Sequence, residues 1–86
     1  MTSTCSGDFW EQYNNLDSKV RAAADKAFRL WMTNPSHPSL QFKKPNGCDF
    51  WCARITKDYR AVCVYQDDTY IWFFIGNHKE YDALIP

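Results

Sequence analysis

The chain has 86 residues, with ten basic and ten acidic side chains, a formal net charge of zero, 45% hydrophobic and 17% aromatic content. That composition excludes disorder, and the length fits one domain over 1–86 that buries roughly 60–65% of its unfolded surface. The global basic surplus typical of nucleic-acid binders is absent, although residues 43–79 hold six bases against four acids.

The longest apolar run, Tyr70 to Ile75, is far too short to span a membrane. The opening Met-Thr-Ser-Thr-Cys-Ser-Gly has neither the basic start nor the apolar stretch of a secretory leader, so a cytoplasmic protein is expected. Cys5, Cys48, Cys52 and Cys63 form no CxxC pair and no zinc spacing. On a strand Cys48 and Cys52 lie roughly 13 Å apart, too far for a disulfide. Small buried thiols are the expected role, and neither a metal nor a cofactor is implied.

In chain order, Asp8-Phe-Trp-Glu11 reads as a capping box opening a short helix to about Asn15, with Phe9, Tyr13 and Leu16 at helical spacing. Asp17 caps a second helix from Ser18 to Thr33. Its stripe of Val20, Ala23, Ala24, Ala27, Leu30 and Trp31 faces the core. Asn34-Pro35 stops it, because a residue before proline avoids the helical region. The two helices form an antiparallel hairpin.

Pro35 to Pro38 reads as an extended linker that includes His37, a structural residue. Ser39 to Pro45 follows as a strand in which Leu40 and Phe42 alternate with Gln41 and Lys43. Asn46-Gly47 signals a type I′ turn. Residues 48–55 and 59–65 make a central hairpin about Thr56-Lys57-Asp58. Gln66 to Thr69 turns the chain into a last strand ending at Gly76. There Ile71, Phe73 and Ile75 share one face, and Tyr70, Trp72 and Phe74 the other. A strand apolar on both faces lies mid-sheet or supports a bound partner. Lys79 to Leu84 forms a terminal helical turn.

The expected class is α+β, with an N-terminal helical hairpin on one face of a four-stranded, mostly antiparallel sheet. The other face is open. Each arm of the central hairpin carries one arginine amid apolar neighbours, Arg54 and Arg60. An unpartnered buried arginine is costly. The two therefore lie on the open face, where they either meet an anion such as phosphate or form surface ion pairs with an acid such as Asp58 or Asp82.

Ile75-Gly-Asn-His-Lys-Glu-Tyr81, taken with Arg54-Ile55, Tyr59-Arg60-Ala61 and the segment Asn34 to Lys43, resembles the RelE/ParE superfamily of small bacterial toxins. The likeness runs from about Phe9 to Leu84. It implies two helices against a four-stranded sheet, a cognate antitoxin protein as partner, and no membrane association. It also implies one of two activities. Many family members cleave messenger RNA in the ribosomal A site without a metal; others poison DNA gyrase.

Metal-free RNA cleavage needs a base for the 2′-hydroxyl, cations for the phosphorane and an acid for the leaving oxygen. Arginine does not titrate at neutral pH, so Arg54 and Arg60 are the electrostatic stabilisers. His78 is the natural acid or base. Tyr81 orients a base or phosphate, and Lys43 or Lys44 contacts the RNA backbone. In the RNA-cleaving relatives an arginine opens the third strand and a histidine or tyrosine follows the fourth; the matching residues here are Arg60, His78 and Tyr81. The leading expectation is a ribosome-dependent mRNA endonuclease that inhibits translation. Neutral net charge keeps open a non-catalytic gyrase inhibitor or a degenerate antitoxin-binding protein on the same fold.

Overall fold

The computed structural model describes residues 2–85. Its elements are β1 (Thr2–Cys5), α1 (Gly7–Asn14), α2 (Ser18–Thr33), a 3₁₀ turn (Pro38–Leu40), β2 (Trp51–Arg54), β3 (Tyr59–Gln66), β4 (Thr69–Asn77) and α3 (His78–Asp82). The sheet order is β1-β4-β3-β2, antiparallel except for β1, which runs parallel to β4. The α+β class and the strand number match the sequence reading, but the identity of one strand does not.

The expected strand from Ser39 to Pro45 is absent. Pro38, lacking an N–H and fixed near helical φ, opens a 3₁₀ turn instead. His37 caps that turn, its Nδ1 accepting from the Ser39 N–H at 3.2 Å. Gln41 then turns left-handed (φ 45°) and leaves the β region. All that remains of the strand is one bridge, in which Lys43 and Cys52 exchange N–H···O bonds of 3.1 and 2.8 Å. Leu40 and Phe42 still pack into the core, so their alternation marked burial and not a strand.

The fourth strand is Thr2–Cys5, which occupies the outer edge of β4. With β1 on one side and β3 on the other, β4 is internal, which explains its apolar residues on both faces. Its faces differ from simple alternation. Val62 pairs with Phe74 but Cys63 pairs with Trp72, leaving Phe73 as an extra residue in a bulge. Trp72 and Ile75 therefore reach the same helix-side core, while Phe73 and Phe74 pack on the other side.

Helix α1 begins earlier than the Asp8–Glu11 signature indicates. Ser6 is its N-cap, extended at φ −74° and ψ 166°, and its hydroxyl accepts from the Phe9 N–H at 3.3 Å. Asp17 caps α2 as expected, one carboxylate oxygen accepting from the Lys19 and Val20 amides at 2.9 and 3.0 Å. Both helices cover one face of the sheet. The core there joins Phe9, Ala24 and Trp31 to Ala53, Ala61, Cys63, Trp72 and Ile75.

The turns exchange roles as well. At Asn46-Gly47 only Gly47 is left-handed (φ 78°), and the Cys48 N–H bonds the Pro45 carbonyl at 3.2 Å. A type I′ turn needs both central residues left-handed. That geometry falls at Asp67 (φ 52°) and Asp68 (φ 60°) between β3 and β4, where Asp tolerates the conformation better than most residues.

Candidate functional site

The face of the sheet away from α1 and α2 carries α3 and the two arginines. Arg54 and Arg60 are direct cross-strand partners, two steps along from the Cys52–Val62 pair on the same face. Cys52, Val62 and Tyr81 form a small second core with Phe50, Phe73 and Phe74 beside it. This core fixes α3 against the strands, so the end of β4 is a rigid platform.

Three contacts position the charged groups. Arg60 Nη1 donates to the carbonyl oxygens of Thr56 (2.7 Å) and Tyr59 (3.0 Å), which pins the guanidinium at the hairpin turn without neutralising it. The His78 N–H donates to the Asp58 carbonyl at 2.7 Å, tying the start of α3 to that turn. Asn77 and Glu80 form a capping box. Asn77 Oδ1 accepts from the Glu80 N–H (2.8 Å) and Glu80 Oε1 accepts from the Asn77 N–H (3.1 Å). Gly76 is required here, because a Cβ would meet the Phe74 ring at 2.9 Å and the capping Glu80 carboxylate at 3.1 Å.

A cavity of about 140 Å³ opens on this face, lined by Gln41, Lys43, Arg54, Arg60, His78 and Tyr81 over the thiol of Cys52. Five of the six sequence candidates thus meet at one place. Lys44 is exposed and does not line it. Gln41 and Cys52 were not foreseen. The signal for Gln41 was Pro38, whose place at the start of a 3₁₀ turn swings the next segment out of the strand.

Neither arginine has an acidic partner among the described residues. The ion pairs to Asp58 or Asp82 that offered the alternative reading are absent, and Asp82 instead faces His78, Oδ1 to Nε2 at 3.5 Å, with both side chains more than half exposed. Like charges directly opposite on neighbouring strands repel, so an anion between the guanidiniums relieves an electrostatic cost built into the hairpin.

Tyr81 takes a narrower part than a catalyst would. It is 7% exposed, and its hydroxyl donates to Cys52 Sγ at 3.2 Å. Burial, reinforced by that bond, pushes its phenol well above the ordinary range, so it stays protonated at neutral pH. It forms part of the cavity floor. His78 is exposed at the rim of the same cavity.

A second, larger concavity of about 460 Å³ lies on the helix side, between α1, α2 and β1. Its lining is mainly apolar and includes Phe9, Ala24 and Trp31, with the exposed rings of Trp10 and Phe28 among its walls. Among the described residues no helix is long and apolar enough to cross a membrane.

This architecture is the fold of the RelE/ParE superfamily toxins. A chain of the RelB–RelE antitoxin–toxin complex from Methanococcus jannaschii superposes with a TM-score of 0.73 at 17% identity, over 95% of this chain and 98% of that one. YafQ from Escherichia coli gives 0.71 at 13% identity, over 98% and 97%. The YoeB/ParE toxin from Agrobacterium tumefaciens gives 0.69 at 16%, over 91% and 99%. No protein-family model matches the sequence, and no curated protein is significantly similar to it.

Proposed function

We propose that this chain is the toxin of a type II toxin–antitoxin pair and that it cleaves messenger RNA on the ribosome. The observation that carries the proposal is the directly opposed Arg54–Arg60 pair, without an acidic partner among the described residues and sharing one cavity with Lys43 and His78. The shared fold is consistent with it, since structures of that fold include toxins solved with their antitoxins.

In this reading the two guanidiniums hold the scissile phosphate and stabilise the charge that grows on its oxygens as the 2′-oxygen attacks phosphorus. The bond from phosphorus to the 5′-oxygen breaks, giving a 2′,3′-cyclic phosphate and a free 5′-hydroxyl. His78 acts as the acid or base for one of the two proton transfers. Lys43 contacts a flanking phosphate, and Tyr81 holds the cavity floor. The apolar groove with Trp10 and Phe28 is a surface for a partner protein, in keeping with an antitoxin.

The zero net charge of the chain favours a second reading, a non-catalytic inhibitor of gyrase on the same fold. Expression of the chain alone in bacteria with pulse labelling separates the two. Protein synthesis should stop first, with mRNA fragments ending in cyclic phosphate. Continued protein synthesis with arrested DNA synthesis would transfer the assignment to the gyrase class.

A further inference from the structure

We propose that Gln41 reads the nucleobase beside the phosphate held by Arg54 and Arg60, and that it favours adenine. This rests on the RNA reading above. Three observations support it.

The first is conformational. Gln41 follows the 3₁₀ turn with φ 45° and ψ 42°, its N–H bonded to the Pro38 carbonyl at 3.2 Å. Glycine fills such left-handed caps without strain, whereas a side chain there costs about 1–2 kcal/mol. Strain retained at the rim of a cavity points to a use for the side chain.

The second is positional. The Gln41 side chain is exposed, so its amide is free to meet a ligand, and it lines the arginine cavity. Its backbone is held from both sides, by Leu40 buried in the core and by the Lys43–Cys52 bridge. The side chain therefore starts from a fixed Cα at the cavity rim.

The third is chemical. The other polar groups of the cavity are cations, an imidazole, a phenol and a thiol, and cationic contacts to phosphate carry no sequence information. Gln41 is the one carboxamide among the lining side chains, and its donor and acceptor sit on a single carbon, spaced for a bidentate pair with a base edge. An unstacked base in single-stranded RNA exposes its edges to such a group, and the pairing suits adenine, which offers N6 as donor and N7 as acceptor.

The test measures binding of labelled homopolymeric RNAs of A, C, G and U to the full chain and to two variants by fluorescence anisotropy. The parent should prefer the A polymer by about five- to tenfold, within the range of one bidentate amide–base pair. Gln41→Gly should bring affinity for A down to that for the other bases, while its thermal midpoint does not fall, because glycine suits the left-handed backbone. Gln41→Glu, an acceptor only, should shift preference toward C. A parent without base preference, or a Gln41→Gly variant that keeps it, overturns the inference and leaves the endonuclease reading standing. A parent that binds with the expected preference but cuts no mRNA on ribosomes refutes the endonuclease reading alone. Binding to none of the RNAs overturns the inference, while the ribosome-dependent reading is decided separately by the pulse-labelling experiment.

Discussion

Replacing Arg60 by alanine separates the site's electrostatics from its stability. The guanidinium donates to two carbonyls, those of Thr56 and Tyr59. Each such bond contributes about 0.5–1.5 kcal/mol net. Both carbonyls lie in a surface turn where water can replace the donor, which places the loss at the low end. Removing one of two opposed like charges returns about 0.2–1 kcal/mol. The expected net destabilisation is below about 1 kcal/mol, small enough for the fold to survive. The barrier to cleavage should rise far more, by about 2–4 kcal/mol for loss of a positioned transition-state cation, or about 30- to 1,000-fold in rate. Urea denaturation and single-turnover cleavage of ribosome-bound mRNA measure the two effects. Arg60→Lys keeps the charge without the planar guanidinium that holds a phosphate bidentately, and should recover only part of the rate. A folded Arg60→Ala chain that cuts at the parental rate refutes the role. A variant unfolded at ordinary temperature shows the arginine to be structural instead.

Asn77→Ala removes half of the capping box that seats His78, costing about 1 kcal/mol and lowering the thermal midpoint by about 4–8 °C. Cleavage should fall although Asn77 lies outside the cavity lining, and Asn77→Ser should restore both; unchanged activity would detach α3 order from function. Asp68→Gly creates the preferred Asp-Gly pair in the type I′ turn and should raise stability by about 0.5 kcal/mol, checked by denaturant midpoint; a loss of stability would refute the turn assignment. Burial, with the neighbouring Cys52 adding to it, pushes the Cys63 thiol from 9.0 up to about 12. The folded value lies above the unfolded one, so stability is flat below pH 9 and declines as pH rises toward 12, by about 1.4 kcal/mol per unit for one proton. Cys63→Ala should flatten that decline, and an identical alkaline slope in parent and variant would rule out Cys63 as its source.

What the sequence disclosed and what it hid follow physical lines. Helix α2 was legible because sixteen residues of 3.6-fold periodicity lie between an Asp cap and a proline stop. The central hairpin was legible because two apolar runs flank a polar tripeptide; that Arg54 pairs directly with Arg60 is a matter of register that only the fold shows. The Phe73 bulge was hidden, because nothing local marks one extra residue in an unbroken aromatic strand. The β1 strand was hidden too: four small or polar residues form it only because β4 offers an open edge, a long-range cause. Leu40 and Phe42 misled for the opposite reason, since alternating burial arises wherever a chain crosses a core, with or without a ladder. The capping box has a local signature, Asn77 followed three residues later by Glu80, and is legible for that reason. The absence of ion pairs at Arg54 and Arg60 depends on where Asp58 and Asp82 point, which only the folded chain decides.

The neutral charge of the chain bears on RNA binding through distance. At physiological salt, fields decay over about 8–10 Å, so a phosphate in the 140 Å³ cavity responds mainly to the groups lining it. There Lys43, Arg54 and Arg60 supply three positive charges, no acid lines the cavity among the described residues, and Asp82 contacts His78 at the rim. Most of the ten acids lie elsewhere on the surface and reduce long-range steering more than local affinity. This gives a measurable slope. Three cations neutralising single-stranded phosphates should make the logarithm of RNA affinity fall with the logarithm of salt at a slope of about −2. Arg54→Ala should bring the slope to about −1.4, because one fewer counterion is released. A parental slope of about −5 or steeper would mean that RNA follows a longer basic path through Lys44 and Lys57, and that the cavity is only one stop along it. A slope near zero would remove phosphate recognition from this face altogether.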